Sequence, residues 1–248
     1  MQDTSLLYQS ILTSNNYYVE TSIVITDPSS GAGQSYIYGE DLLMSVKTTR
    51  RTFKSNVPEV GCCMSGEIYV EMLMPDIEIP KSSKIVLRVR LVSTADDRVS
   101  EWIQKGTFFI DSRTNTQNDD NLNILSIHGY DSMLKTDQIY PSTSIAFPST
   151  DIIVVNDIAS KIGVTVEPRT ITLINRGYAV QLPVEYTMRE VLGYIAGMYA
   201  GNWIINDLGQ LQLIGIYDLP EETNLLLDEN NFYIVFSDSE LGNVRIVL

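Results

Sequence analysis

The side chains of this sequence whose types could do chemistry include one histidine, two adjacent cysteines and three of its adjacent carboxylate pairs. These are His128, Cys62-Cys63, Asp96-Asp97, Asp119-Asp120 and Glu221-Glu222. A nucleophilic triad would set the histidine beside a nucleophile and an acid, and the chain has no Gly-x-Ser-x-Gly elbow to present a serine. A lone histidine has no second imidazole to join in a multi-histidine metal site. A disulfide between neighbouring cysteines strains the peptide between them, and neither the second cysteine pair nor the histidines of a zinc site are present. Cys62 and Cys63 therefore read as two small buried hydrophobes of a reduced protein. Glycoside cleavage needs two carboxylates converging across a cleft. Adjacent acids in loops do not converge by themselves, so the three pairs read as solvated surface. Asn118-Asp119-Asp120-Asn121 lacks the ligand spacing of a calcium loop. Gly31-Ala32-Gly33-Gln34-Ser35 lacks the Gly-Lys-Ser/Thr of a phosphate cradle and, following Asp27-Pro28-Ser29-Ser30, reads as a flexible turn. The expectation is no catalytic residue, no metal, no cofactor and no assignable ligand-binding residue.

Charge narrows the partners. Among 248 residues there are 17 basic and 31 acidic side chains, a net charge of −14, which repels a phosphate backbone. The densest basic stretch, Lys47, Arg50, Arg51 and Lys54, could hold a phosphate but reads as a solvated loop or a set of salt-bridge partners. Fourteen tyrosines dominate the aromatics. Tyr8, Tyr17, Tyr18, Tyr36 and Tyr38 cluster near the start, where burial at a core edge or subunit interface is expected ahead of a stacking platform. Met1-Gln2-Asp3-Thr4-Ser5 has no basic, apolar leader character. No apolar run approaches the ~20 residues that span a bilayer. A soluble chain without membrane partners, made in the cytoplasm, is expected.

The elements that must position these residues change in texture along the chain. The first half reads as β. Val19–Thr26 is rich in β-branched residues, and Gly66–Met72 alternates with Ile68, Val70 and Met72 on one face. Ile85, Leu87, Val89 and Leu91 face away from Arg88 and Arg90 on the next strand. Trp102–Asp111 and Leu122–His128 read as a hairpin joined by the polar connection Arg113–Asn121. From about Ser132, two helices are predicted. One runs near 151–162, capped by Ser149 or Thr150, with Ile152, Val155, Ile158, Ala159 and Ile162 in its stripe and Gly163 as its left-handed terminus. The other runs near 187–200. It opens on a Thr187–Glu190 capping box, carries Val191, Leu192, Ile195, Ala196 and Tyr199, and ends at Gly201. Trp203–Ile205 and Gln210–Ile214 then form a hairpin about Asn206–Gly209. An apolar strand, Val244–Leu248, would close a sheet. The expected fold is α+β and mainly β, with two barrel-like antiparallel domains and two short capped helices. The first domain covers 1–135 and is completed by 215–248; the second covers 136–214.

The stretch Thr187–Ile205, followed by Gly209-Gln210-Leu211, resembles one in baseplate hub proteins of tailed phages and defective prophages, the group of the T4-type hub. Gly106–Asp111, His128–Leu134 and Ile158–Val164 are similar to stretches of that family too, so that the resemblance covers about Gly61 to Ile214. It implies a non-enzymatic homotrimer in a virion or phage-like particle, at the baseplate or tail tip. Each chain would contribute two similar barrel-like domains, so that three chains imitate a six-fold ring. Such a ring joins a tail tube protein or distal tail ring above to a spike or tail-tip protein below. It would surround the DNA or effector path without specific nucleic-acid binding, and acidic side chains lining it would let DNA slide. Longer family members continue beyond the point where this sequence stops. The alternatives are a distal-tail ring or adaptor, a carbohydrate- or receptor-binding tail module, and a tail-associated hydrolase.

Overall fold

The computed structural model describes residues 4–14, 16–28, 34–55, 57–117, 122–140, 145–215, 235–238 and 242–245. The chain divides into two units, Met1–Ile214 and Gly215–Leu248. It is an α+β fold, mainly β.

The first unit opens on α1 (Leu6–Thr13), whose start is held by the Ser5 hydroxyl accepting from the Tyr8 amide. Seven strands follow: β1 (Tyr17–Thr26), β2 (Ser35–Tyr38), β3 (Leu43–Thr49), β4 (Glu67–Leu73), β5 (Lys84–Ser93), β6 (Ile103–Gln117) and β7 (Asn123–Tyr130). They form one antiparallel sheet in the order β2-β1-β5-β6-β7-β4-β3. Its two edge strands are consecutive in sequence. Only Gly39–Leu42 separates β2 from β3, so the two edges lie within about 17 Å of each other at that end, and the sheet must curl on itself. The alternation supplies its inside. Ile68, Val70 and Met72 of β4 are buried while Tyr69 and Glu71 are exposed, and they join Ile23, Ile85, Phe108 and Ile127 in one apolar cluster. Bulges at Lys105 and Asp111 of β6 add curvature. Gly106 stands beside the first of these because a Cβ there would lie 2.4 Å from the buried Phe108 ring.

β6 corrects the expected connection at Arg113–Asn121. Arg113–Gln117 remain in the strand, paired with β7 out to Gln117↔Asn123. Backbone pairing along a mostly exposed two-stranded ribbon overrides a polar, turn-rich composition. Asn118–Asn121 lie outside the described residues, as do Ser29–Gly33 and Glu221-Glu222.

After β7 a 3-10 helix (Ser132–Asp137) leads to β8 (Ser149–Thr150), α2 (Asp151–Ile162), α3 (Pro168–Leu173), β9 (Ala179–Val180), α4 (Met188–Met198), β10 (Gly201–Ile205) and β11 (Leu211–Gly215). Val154, Val155, Ile158 and Ile162 of α2 and Val191, Leu192 and Ile195 of α4 pack with Trp203 and Leu211 of the β10–β11 hairpin into a second core. α2 starts at Thr150, whose side chain makes no capping bond, and ends on Gly163 at φ 76°. α4 opens on a reciprocal box. The Glu190 carboxylate accepts from the Thr187 amide at 2.7 Å, and the Thr187 hydroxyl accepts from the Glu190 amide at 3.2 Å. Thr187→Ala is therefore expected to cost about 1 kcal/mol, read as a shifted urea midpoint with unchanged slope.

Gly201 does not end α4. Tyr199 is the C-cap, and Ala200 takes the left-handed turn at φ 49°. Gly201 opens β10 for a different reason, since a Cβ there would lie 2.9 Å from the Ile214 carbonyl oxygen on the paired strand.

In the second unit β12 (Val235–Asp238) pairs antiparallel with β13 (Gly242–Arg245). Of the expected strand Val244–Leu248, residues 246–248 lie outside the described part.

Candidate functional site

Within the first unit the chain crosses from the curled sheet to the second core along two segments, near 61–67 and 130–133, and these run side by side. Gly61 donates to the Gly201 carbonyl at 2.9 Å, and Trp203 donates to the Cys62 carbonyl at 2.8 Å, so the incoming segment adds to the edge of β10. Asn202, fully buried, locks this edge: its carbonyl accepts from the Cys62 amide at 2.7 Å, and its amide donates to the Glu59 carbonyl at 2.8 Å. The backbones of Gly61 and Gly193 touch here. A Cβ on Gly61 would lie 2.9 Å from the Gly193 carbonyl oxygen, and one on Gly193 would lie 2.8 Å from that of Gly61. Gly61 also has φ +81°, so both positions require glycine.

Arg189, on the first turn of α4, ties the crossings together. Its guanidinium donates to the carbonyls of Cys63 and Met133, to the Ser65 hydroxyl and to the Asp137 carboxylate. Asp131 completes the joint from below. It is buried, and its carboxylate accepts from the Gly66 amide at 2.7 Å and the Met133 amide at 2.9 Å. Burial pushes its pKa up to about 6 against those two amides and the charges of Arg50 and Arg189. A third tie lies at the tip of the hairpin: Asp207 pairs with Arg50, and its carbonyl accepts from Gln104 at 2.8 Å. The two helices are tied by the buried Asp151, which accepts from the Tyr199 hydroxyl.

Beside this joint a recess of about 700 Å³ opens along α4, walled by Val60, Cys62, Met64, Gly193, Tyr194 and Gly197. Gly197 forms open floor, with nothing within 4 Å of where a Cβ would stand. On the far side of Tyr194 a smaller apolar groove of about 290 Å³ runs past Leu182, Pro183 and Met198. Tyr194 is 63% exposed, and Leu182, Val184, Tyr186 and Met198 are exposed with it. A contiguous apolar surface of this kind is the mark of a binding face.

The sequence candidates for chemistry fall elsewhere. His128 lies on the outer face of β7, stacked on Tyr69 at 4.2 Å between ring centroids and beside Tyr130, with Glu67 3.5 Å from its Nε2. Its neighbours are aromatic rings and one carboxylate, not a nucleophile. Both cysteines are free thiols. Burial pushes the Cys63 thiol up to about 12, leaving it protonated and inert at neutral pH; Cys62 borders the recess. Asp96 pairs with Arg98 in the tight turn after β5, where Asp97 takes φ 55°. Of the basic stretch, Arg50 is held by Asp207 and the Lys105 carbonyl, while Lys47, Arg51 and Lys54 are exposed. The clustered tyrosines separate: Tyr38 is buried in the curled sheet and Tyr36 packs against that core, while Tyr18 is exposed. No group of three potential metal-ligating side chains forms among the described residues. No described helix is long and apolar enough to cross a membrane.

Two residues that tie this joint escape the sequence reading, Arg189 and Asp131. Arg189 reads only as the third residue of the Thr187–Glu190 capping box. Asp131, between a strand and a polar turn, gives no sign of being buried.

No family model matches this sequence, and no curated protein matches it. Solved structures do resemble it. The 43 kDa tail protein of prophage MuSo2 from Shewanella oneidensis aligns over 84% of this chain with a TM-score of 0.54 at 15% identity. A tail protein from Neisseria meningitidis aligns over 91% with a TM-score of 0.48 at 14% identity. A prophage tail protein from Listeria monocytogenes aligns over 92% with a TM-score of 0.45 at 11% identity. The alignments cover 59%, 58% and 67% of those longer chains. At such identities the likeness to the Shewanella protein is one of fold.

Proposed function

We propose that this chain is a structural, non-enzymatic subunit at the distal end of a phage or phage-like tail. In this reading three copies form a ring that adapts a hexameric tail tube to a trimeric spike and surrounds the path of DNA or effector. The observation that carries it is the fold shared with a prophage tail protein. The physical character of the chain agrees. Of the groups singled out in the sequence and described in the structure, Cys63 is buried, Arg50 and Asp96 are held in ion pairs, and His128 is stacked on Tyr69. The most elaborate side-chain bonding instead fixes one core rigidly against the other, as a subunit that transmits force between a tube and a spike requires. Partners above and below are a tube or distal-ring protein and a spike or tip protein. With a net charge of −14, a ring of such chains would repel the DNA passing through it.

Light scattering coupled to size exclusion tests the reading. The expected mass is three times 27.8 kDa. Six copies would favour a distal-tail ring or adaptor, and a single chain at all concentrations would count against both.

A further inference from the structure

Two facing strands of the curled sheet repeat one pairing of positions, and only one of the two pairs is complete. Glu20 of β1 stands opposite Arg90 of β5 and, two residues along, Ser22 stands opposite Arg88. These four lie on the outer face, since Ile23, Ile25, Ile85 and Leu87 fill the core between them in the alternation. Arg90 donates to the Glu20 carboxylate twice, from Nε at 2.7 Å and Nη2 at 3.0 Å, the two-point pairing for which a guanidinium is shaped. Arg88 makes no hydrogen bond and no ion pair among the described residues, and its Nε is sealed from solvent without an acceptor. The buried Ser22 hydroxyl opposite is likewise without a partner. Buried polar groups are ordinarily satisfied, so two unsatisfied ones on facing residues mark a place the chain does not complete by itself.

Arg88 is nevertheless held in position. Its guanidinium lies over the Trp102 ring at 4.6 Å, and that of Arg90 lies over the same ring at 4.5 Å, so one indole fixes both cations. The acids around this platform are occupied. Glu20 is held by Arg90, Asp207 by Arg50, and Glu101 by the Ser5 amide and hydroxyl at 2.7 and 2.6 Å. Gln104, across from Arg88 on β6, turns its amide to the Thr107 hydroxyl and the Asp207 carbonyl at 3.2 and 2.8 Å. Tyr18, in the same alternation as Glu20 and Ser22, extends the platform and is exposed. The chain thus supplies a positioned cationic fork, partly open to solvent, and no acid to fill it.

We infer that Arg88, stacked on Trp102, receives the carboxylate of an aspartate or glutamate presented by a partner protein, in the arrangement that Glu20 already makes with Arg90. The fork sets the chemistry of the ligand, because guanidinium nitrogens fixed by stacking match a planar carboxylate at two points. Position 22 carries a hydroxyl where position 20 carries a carboxylate, so the acceptor has to come from outside. The platform is the outer face of a sheet, where a small free acid would stay largely in water and gain little. A side chain on a folded partner brings a surface that covers Tyr18 and Trp102 and excludes that water. A nucleic acid fits poorly, since one free guanidinium on a chain of net charge −14 does not offset the repulsion of an extended polyanion. The inference goes beyond the tail reading and does not depend on the number of copies in a ring.

Trp102 reports on the site, because the second of the two tryptophans, Trp203, is fully buried elsewhere. Hexaglutamate added to the full chain at constant ionic strength should change the tryptophan fluorescence saturably, and hexaglutamine should not. Arg88→Gln should raise the midpoint about tenfold, and Arg88→Lys should also raise it, because the charge stays but the fork is lost. Lys81→Gln, which removes the same charge from an exposed turn, should leave it unchanged. Ser22→Glu supplies a carboxylate opposite Arg88 from within, so it should abolish the response and move the urea midpoint upward. Should that variant fail to fold, the two Arg88 variants decide alone. No response to hexaglutamate, a midpoint unmoved by Arg88→Gln, or an equal rise in Lys81→Gln would overturn the site and leave Arg88 a partner of water only. Binding of a fluorescent DNA duplex that Arg88→Gln abolishes would assign the fork to phosphate and overturn the carboxylate.

Discussion

Trp203→Ala is expected to lower the unfolding free energy by about 4 kcal/mol, close to half the stability of an ordinary domain. The side chain is fully buried. It sits where α4, the hairpin and the incoming 61–63 segment meet, and its indole donates to the Leu192 carbonyl at 2.7 Å. That carbonyl is followed at once by Gly193, whose backbone already touches Gly61. Truncation thus leaves a cavity, removes the bond between β10 and α4, and loosens the edge to which the incoming segment is fastened. Trp203→Phe should recover most of the packing and lose chiefly the hydrogen bond, about 1 kcal/mol of the total. Urea unfolding followed by circular dichroism separates the two. Equal midpoints for the alanine and phenylalanine variants would mean that the cavity contributes nothing.

Why Trp203 could be placed in advance, and Asp131 could not, shows which parts of the fold were legible in the sequence. Strands with one buried face announce themselves by alternation, as Gly66–Met72 does, and helices with one buried stripe by their period and caps, as Thr187–Tyr199 does. Both signals are local, and both were read at nearly the right residues. The short edge strands Ser35–Tyr38 and Leu43–Thr49 were missed because an edge position half in solvent carries no clean alternation; their burial patterns are irregular. α1 was missed because eight residues show barely two turns of periodicity, although Ser5 is a fair cap signal. The candidate site was almost wholly illegible. Its parts, Gly61 with Gly193, Asn202 with Glu59 and Arg189 with Cys63, are separated by more than a hundred positions each. Nothing in the type of an isolated arginine or asparagine reveals which distant backbone it will satisfy. The stretch Thr187–Leu211, singled out by resemblance, overlaps this joint, but the resemblance says nothing of what the stretch holds together.

Asp131 should make the stability of this joint fall as pH rises through about 6. Its carboxyl is raised from 3.8 to about 6 because burial penalises the charge. A raised folded-state value means that its contribution is fully present below the unfolded value and is lost as the group ionises within the fold. At about 1.4 kcal/mol per pH unit, the gap between the two values amounts to roughly 3 kcal/mol between pH 4 and pH 7. Several exposed carboxylates run the other way. Asp96, Glu101 and Glu190 are held below their ordinary values by hydroxyls, amides and Arg98, so their contributions are lost as pH falls. The raw pH profile therefore mixes opposing slopes, and the informative quantity is the difference between wild type and Asp131→Asn. The asparagine keeps one acceptor for the Gly66 and Met133 amides but cannot ionise. From pH 4 to pH 7 that difference should move by roughly 3 kcal/mol in favour of the variant, measured by urea unfolding at constant ionic strength. A difference that stays level across this range would mean that Arg50, Arg189 and the two amides fully offset the burial of the charge. The carboxylate would then be a fixed anchor of the crossing, with no pH dependence of its own.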